Sequence, residues 1–180
     1  MRRAMPILLL LTTAACHRGL QKSDAEAAIR AKYPVTVPVK VPSRVSAAAG
    51  SPEATRAQAF MDNLQKTGWF DILKEDGKEG RSIYTFTPKS GAPVQPSGNG
   101  WLVPAAQAVF VQGTHHSEQG GTAKVTYQIK LANPTAQFPL FTLLHPTVRI
   151  GDTKLRHAVF EKQGGAWALT GTDETFSKGE

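Results

Sequence analysis

Apolar residues along the chain recur at two spacings, and each spacing predicts a different element. Val35, Val37, Val39 and Val41 stand at every second position, the alternation of a strand with one apolar face. Pro38 and Pro42 remove donors from that strand and assign it to a sheet edge. From Ser51 onward the spacing changes to three and four, with Ala57, Phe60, Met61 and Leu64 forming a helical stripe. Ser51-Pro52-Glu53 supplies a cap, a first-turn proline and an acid, and Gly68 stands where a left-handed residue would end the helix. A shorter helix is expected over Asp24 to Lys32, opened by a Ser23/Glu26 capping box and stopped at Tyr33-Pro34. Two strand-like runs follow Gly68, at Trp69 to Leu73 and Ser82 to Thr87. A charged loop, Lys74 to Arg81, joins them as a hairpin.

Beyond the turn-rich Pro93 to Gly100 the spacing of two dominates. Strands are expected at Ala105 to Gln112, Thr122 to Leu131, Thr147 to Ile150, Leu155 to Gln163 and Ala166 to Thr170. The Gly164-Gly165 link between the last two is the clearest hairpin signal in the chain. Val125, Tyr127, Ile129 and Leu131 alternate with Lys124, Thr126, Gln128 and Lys130, so one sheet face is wet and the other must be covered. Phe138 to Leu144 is the most apolar stretch outside the N terminus and reads as a buried connection or a docking patch. The fold class is α+β. A helical and hairpin part at 23–91 is followed by a connector at 92–100, a mostly antiparallel β part at 101–172 and a tail at 173–180.

Composition sharpens this picture in two places. Of 180 residues only one is Cys, which excludes an internal disulfide. The formal charge of +7 is modest and dispersed, and does not by itself establish nucleic-acid binding.

The first sixteen residues read as an address. Arg2 and Arg3 form a basic start, Ile7 to Leu11 an apolar run, and Thr12 to Ala15 a small-residue stretch ending at Cys16, the layout of a secretory signal. The uncharged stretch is well short of the roughly 20 apolar residues a membrane-spanning helix needs. Thr13-Ala14-Ala15-Cys16 resembles the lipobox of bacterial lipoprotein precursors. That resemblance implies a signal peptide over 1–15, acylation of Cys16 as the mature first residue, and a lipidated tether over 16–22. The pattern usually carries an aliphatic residue where Thr13 stands, so ordinary signal cleavage and a soluble periplasmic product remain the alternative. His17 in place of Asp after the cysteine resembles outer-membrane sorting, with an inner-membrane anchor as the other possibility. Removing residues 1–15 takes Arg2 and Arg3 with them and lowers the formal charge from +7 to +5.

Ala54 to Gly91, a helix, a Gly, two strands and Thr-Pro-Lys, resembles the recognition helix and wing of MarR-type winged-helix regulators. In those proteins the wing touches phosphate. Here Lys74, Lys78 and Arg81 are balanced by Glu75, Asp76 and Glu79, a tip poorly suited to phosphate, and no nucleic-acid partner is expected. The lipobox, the short helix, the winged-helix-like segment and the final Gly-Gly-Ala-Trp strand pair together resemble uncharacterised envelope lipoproteins of Gram-negative bacteria, a resemblance that implies no activity.

Chemistry-bearing motifs are few. The chain has no Gly-x-Ser-x-Gly elbow, no phosphate-binding Gly-rich loop ending in Lys-Ser or Lys-Thr, and no His-Glu-x-x-His helix. Acylation of Cys16 would also remove the thiolate needed for nucleophilic or zinc chemistry. The polar cluster His115-His116-Ser117-Glu118 reads as a hairpin loop. It is also the one candidate metal site, through His115, His116 and Glu118 with help from His145 or His157. Trp101 is the candidate ligand-binding aromatic, while Trp69 and Trp167 read as core. No cofactor is expected. The function read from these features is a membrane-anchored, non-enzymatic accessory protein binding an envelope protein or peptidoglycan-associated partner. An immunity or enzyme-inhibitor lipoprotein and a metal-dependent enzyme are the alternatives.

Overall fold

A computed structural model describes residues 19–174 and Phe176, and within that range everything except the His115 side chain. The elements run α1 (Lys22–Arg30), β1 (Val35–Pro42), β2 (Arg44–Ala48), α2 (Pro52–Thr67), β3 (Phe70–Asp76), a 3₁₀ turn at Lys78–Gly80, β4 (Arg81–Pro88), β5 (Gln95–Ser97), β6 (Gly100–Gln119), β7 (Thr122–Ala132), α3 (Phe138–Leu144), β8 (Thr153–Gln163) and β9 (Ala166–Thr172). The class is mixed and mostly β. A large curled antiparallel sheet has the order β1-β6-β7-β8-β9 with β5 also on β6, and a three-stranded sheet has the order β2-β4-β3.

The valine alternation does what its period requires. Val37, Val39 and Val41 are buried, Thr36, Pro38 and Lys40 are exposed, and β1 forms the edge of the large sheet, pairing with β6 from Val35↔Ala108 to Pro42↔Gly100. The register shifts between Val37 and Pro38, where the missing proline N–H interrupts the ladder. In β7 the residues Ala123, Val125, Tyr127, Ile129 and Leu131 are buried while Lys124 and Lys130 point to water. Gly164 and Gly165, both at positive φ, turn β8 into β9.

α1 and β1 precede the 92–100 connector in sequence, yet β1 is a strand of the large sheet and α1 lies against its strands β6 and β9. The segment between β1 and β6 builds the small sheet with α2 packed on β2 and β3. The two sheets meet at a seam near Ser43, whose N–H bonds to the Asn99 carbonyl while its own carbonyl accepts from Phe86 N–H. One apolar core runs across the seam and joins Phe60, Leu64 and Phe86 to Val41, Val103, Leu140 and Phe141.

The helix ends divide into one success and one correction. Ser51 Oγ accepts from Ala54 N–H at 3.1 Å, Pro52 opens α2, and Gly68 closes it at φ 69°. The Ser23/Glu26 box does not form: α1 starts two residues early, with Gln21 at the cap position. Glu26 instead accepts from the Gly113 N–H at 3.0 Å, a tertiary contact that competes successfully for the same carboxylate.

Three further expectations change. Thr147 to Ile150 is a turn region rather than a strand, with Val148 N–H bonded to the His145 carbonyl. Phe138 to Leu144 is a short helix that buries Leu140 and Phe141. β3 and β4 extend through most of the charged loop, so only Gly77 and the 3₁₀ turn remain at the tip.

Candidate functional site

Cys16 and its neighbours His17 and Arg18 lie outside the described residues. The described chain opens directly on the core: Leu20 is buried and packs with Ala25 and Ile29 of α1. Its N–H donates to Glu118 Oε1 at 2.5 Å, which fastens the start of the fold to the far end of β6. His116 Nε2 stands 2.9 Å from the same oxygen. The His115–Glu118 segment is therefore strand, not loop. The bulges between Phe110 and Gln112 and between Gly113 and His115 let β6 continue past Gly113 to Gln119. Strand geometry then puts His116 and Glu118, two residues apart, on one face.

The His116 ring first, and the Leu20 N–H after it, hold the Glu118 carboxyl below its ordinary range, with partial desolvation pulling the other way. Beside this pair, Lys22, Ala25, Glu26, Thr114 and Val125 enclose a recess of about 200 Å³ where α1 meets β6. The structure thus brings together His116, Glu118 and the start of the fold.

The other proposed ligands are elsewhere. His115 pairs in register with Thr126, and its side chain lies outside the described structure. His157 is exposed on β8, its Nδ1 3.3 Å from Thr126 Oγ1. His145 follows α3 and packs at a tilt against Phe141, with ring centroids 4.5 Å apart. Among the described residues, no three His, Cys, Asp or Glu side chains are grouped to hold a metal ion.

Trp101 is half-buried at the seam, and its indole N–H donates to the Phe86 carbonyl at 3.1 Å. The indole N–H is thus committed to joining the two sheets. Trp69 is half-buried against the core, and Trp167 carries Lys162 Nζ 5.7 Å from its ring centroid. Asp71 pairs with Lys89 at 3.6 Å across the β3–β4 hairpin.

Two features escaped sequence reasoning. A groove of about 240 Å³ opens between α2, α3 and the seam, floored by Phe60 and Phe86, walled by Val45 and Leu144, and rimmed by Lys40, Glu53 and Arg56. Leu143 and Leu144 are exposed beside it. The second is a buried polar knot under α1. Tyr127 OH donates to the Asp173 carbonyl and lies 3.0 Å from Tyr33 OH, while Arg156, only 6% exposed, donates to the Phe176 carbonyl. Burial pushes both tyrosine hydroxyls above their ordinary pKa. The ring of Phe110 packs on both tyrosines, and Arg30 lies 4.6 Å over its centroid. Single polar residues spaced through Tyr33, Tyr127, Arg156 and the tail carry no local signal of that meeting.

Comparisons with family models, with curated proteins and with solved structures find no match for this chain.

Proposed function

We propose that this chain is a bacterial envelope lipoprotein, anchored through acylated Cys16, whose globular part is a binding or accessory module rather than an enzyme. The observation that supports it most is the order of features at the N terminus. A basic, apolar and small-residue run ends at Cys16, and only His17, Arg18 and Gly19 separate that cysteine from the buried Leu20. A cleavage before Cys16 would remove the apolar run and leave every residue of the core in place. One acyl chain binds a bilayer marginally and two or more hold it stably, at about 0.8 kcal/mol per buried methylene, so the acylated cysteine supplies the anchor.

The proposed site is the outer membrane, facing the periplasm, with the inner membrane and the soluble periplasm as alternatives. The helix-plus-hairpin segment α2–β3–β4, with β2 against β4, is read as a winged-helix-like scaffold without a nucleic-acid partner. For the partner, an envelope protein or a peptidoglycan-associated one, the apolar groove beside Leu143 and Leu144 is the candidate face. An immunity or inhibitor role would use the same face.

Labelling with a fatty-acid analogue, comparing wild type with Cys16→Ala, tests the anchor. Label on the wild type and none on the variant is expected. An unlabelled wild type recovered in the soluble periplasm would replace the anchor with ordinary signal cleavage.

A further inference from the structure

We infer that the end of the large sheet formed by the β6–β7 and β8–β9 turns rests on the bilayer surface, with Lys162 and Trp167 as its contact residues. This inference depends on the acylation of Cys16 proposed above. It starts from reach. At about 3.3–3.6 Å per extended residue, the path from Cys16 to Leu20 spans at most about 14 Å. Leu20 cannot drift from the fold, because its side chain is buried and Glu118 holds its N–H. Glu118 stands one residue before the end of β6, in register with buried Ala123 just past the turn. A short tether fixed at that point leaves the neighbouring sheet end no room to stand far from the lipid.

The chemistry of that end fits a headgroup layer. Lys162 lies close enough to Glu118 to help lower its carboxyl pKa, and its backbone N–H donates to the Gly121 carbonyl, so the two hairpin ends are side by side. Its ammonium lies over the half-buried Trp167 ring. A tryptophan with one apolar and one polar edge, next to a long lysine that can extend its charge outward, is the pairing favoured at a membrane–water boundary. Lys124 adds positive charge, Lys22 is paired with Glu26 at 3.8 Å, and Glu118 and Glu161 are the acids at this end. Both turns consist of glycines at positive φ, Gly120-Gly121 and Gly164-Gly165, so no bulky side chain at the tips holds the surface away.

The test uses the full acylated protein reconstituted in phosphatidylcholine vesicles containing phosphatidylglycerol and a headgroup-linked quencher. With Cys16 acylated, an introduced cysteine is the one free thiol. A fluorophore is placed at Gln163→Cys, at Ala166→Cys as an independent second position, and at Asn99→Cys beside the opposite end of β6. Quenching at 163 and 166 with none at 99 is expected, and lengthening the tether by a flexible insert between Arg18 and Gly19 should reduce it. Equal quenching at both ends, or stronger quenching at 99, in vesicle-bound protein overturns the orientation and leaves the anchor standing. Protein that carries no acyl group and fails to sediment with vesicles overturns both.

Discussion

Glu118 does two jobs with one carboxylate, accepting from the Leu20 N–H and pairing with His116. Its lowered pKa fixes the sign of a pH effect. A carboxyl depressed in the folded state contributes stability above its unfolded value, near the ordinary 4.5, and loses that contribution as pH falls through the folded value. Glu118→Gln is therefore expected to be less stable than wild type at pH 7, with the gap closing on acidification below that range, as read by denaturant midpoints across pH. A gap of constant size would mean that the charge is irrelevant. A second residue with no local warning is Gly100. A Cβ there would be driven onto the Val41 carbonyl oxygen and to 2.9 Å from Pro42 Cα, where β1 and β6 close their pairing. Gly100→Ala should cost about 1–3 kcal/mol or more in thermal or chemical denaturation, because backbone rather than a movable side chain blocks the methyl. At this scale the sequence grouped His116 and Glu118 in one polar cluster but read that cluster as a hairpin loop, so their shared strand face was not anticipated. Their union with Leu20 depended on a contact across 98 positions and was not legible.

Elements with a strong period were readable, and those shaped by neighbours were not. α2 follows from its Ser51 cap, its stripe and Gly68, and β1 from its alternating valines, because each signal is local and no tertiary partner competes with it. β6 was read five residues short at its start and seven at its end, where Gly113 resembles a stop; its buried N–H instead bonds to Glu26, and two bulges carry the strand onward. α3 was missed because Phe138 to Leu144 is too short to show a helical period and is apolar on nearly every position. Its cap residue holds a specific oddity. Gln137 is fully buried and donates to Thr67 Oγ1, yet among the described residues its Oε1 has no partner. Gln137→Met removes that orphan acceptor, while Thr67 keeps its bond to the Leu64 carbonyl. It should stay within about 1 kcal/mol of wild type or exceed it, whereas Leu140→Ala on the same helix should cost about 2–5 kcal/mol. A loss of several kcal/mol from Gln137→Met in calorimetry would show that the carbonyl has a partner such as bound water.

At the scale of the whole molecule, residues that follow β9 fasten onto the body of the curled sheet, at the paired positions Tyr127 and Arg156 of β7 and β8. Tyr127 and Arg156 bond to carbonyls of Asp173 and Phe176, and Lys154 lies 5.5 Å over the Phe176 ring. The raised pKa values of Tyr33 and Tyr127, caused first by burial, mean that both stay neutral in the fold after they would ionise in the unfolded chain. Stability from this source is complete below about pH 10 and is lost as pH rises beyond it. Tyr127→Phe should cost about 1–2 kcal/mol at pH 7 through the lost hydrogen bonds, and should unfold with a shallower alkaline dependence than wild type. The antiparallel C-terminal architecture was readable from alternation and the Gly164-Gly165 turn. The inclusion of β1 in that same sheet, and the packing of α1 on it, were not, because antiparallel pairing between Val35 and Ala108 leaves no trace in either segment alone. That arrangement places the start of the fold, and with it the proposed anchor, at a defined end of the molecule. The most direct measurement is the mass of the N-terminal peptide of the mature protein purified from envelopes. A peptide beginning at Cys16 and carrying a diacylglyceryl group on sulfur and an amide-linked acyl chain is the expected result. A mature N terminus elsewhere, or a Cys16 bearing no lipid, would contradict the account.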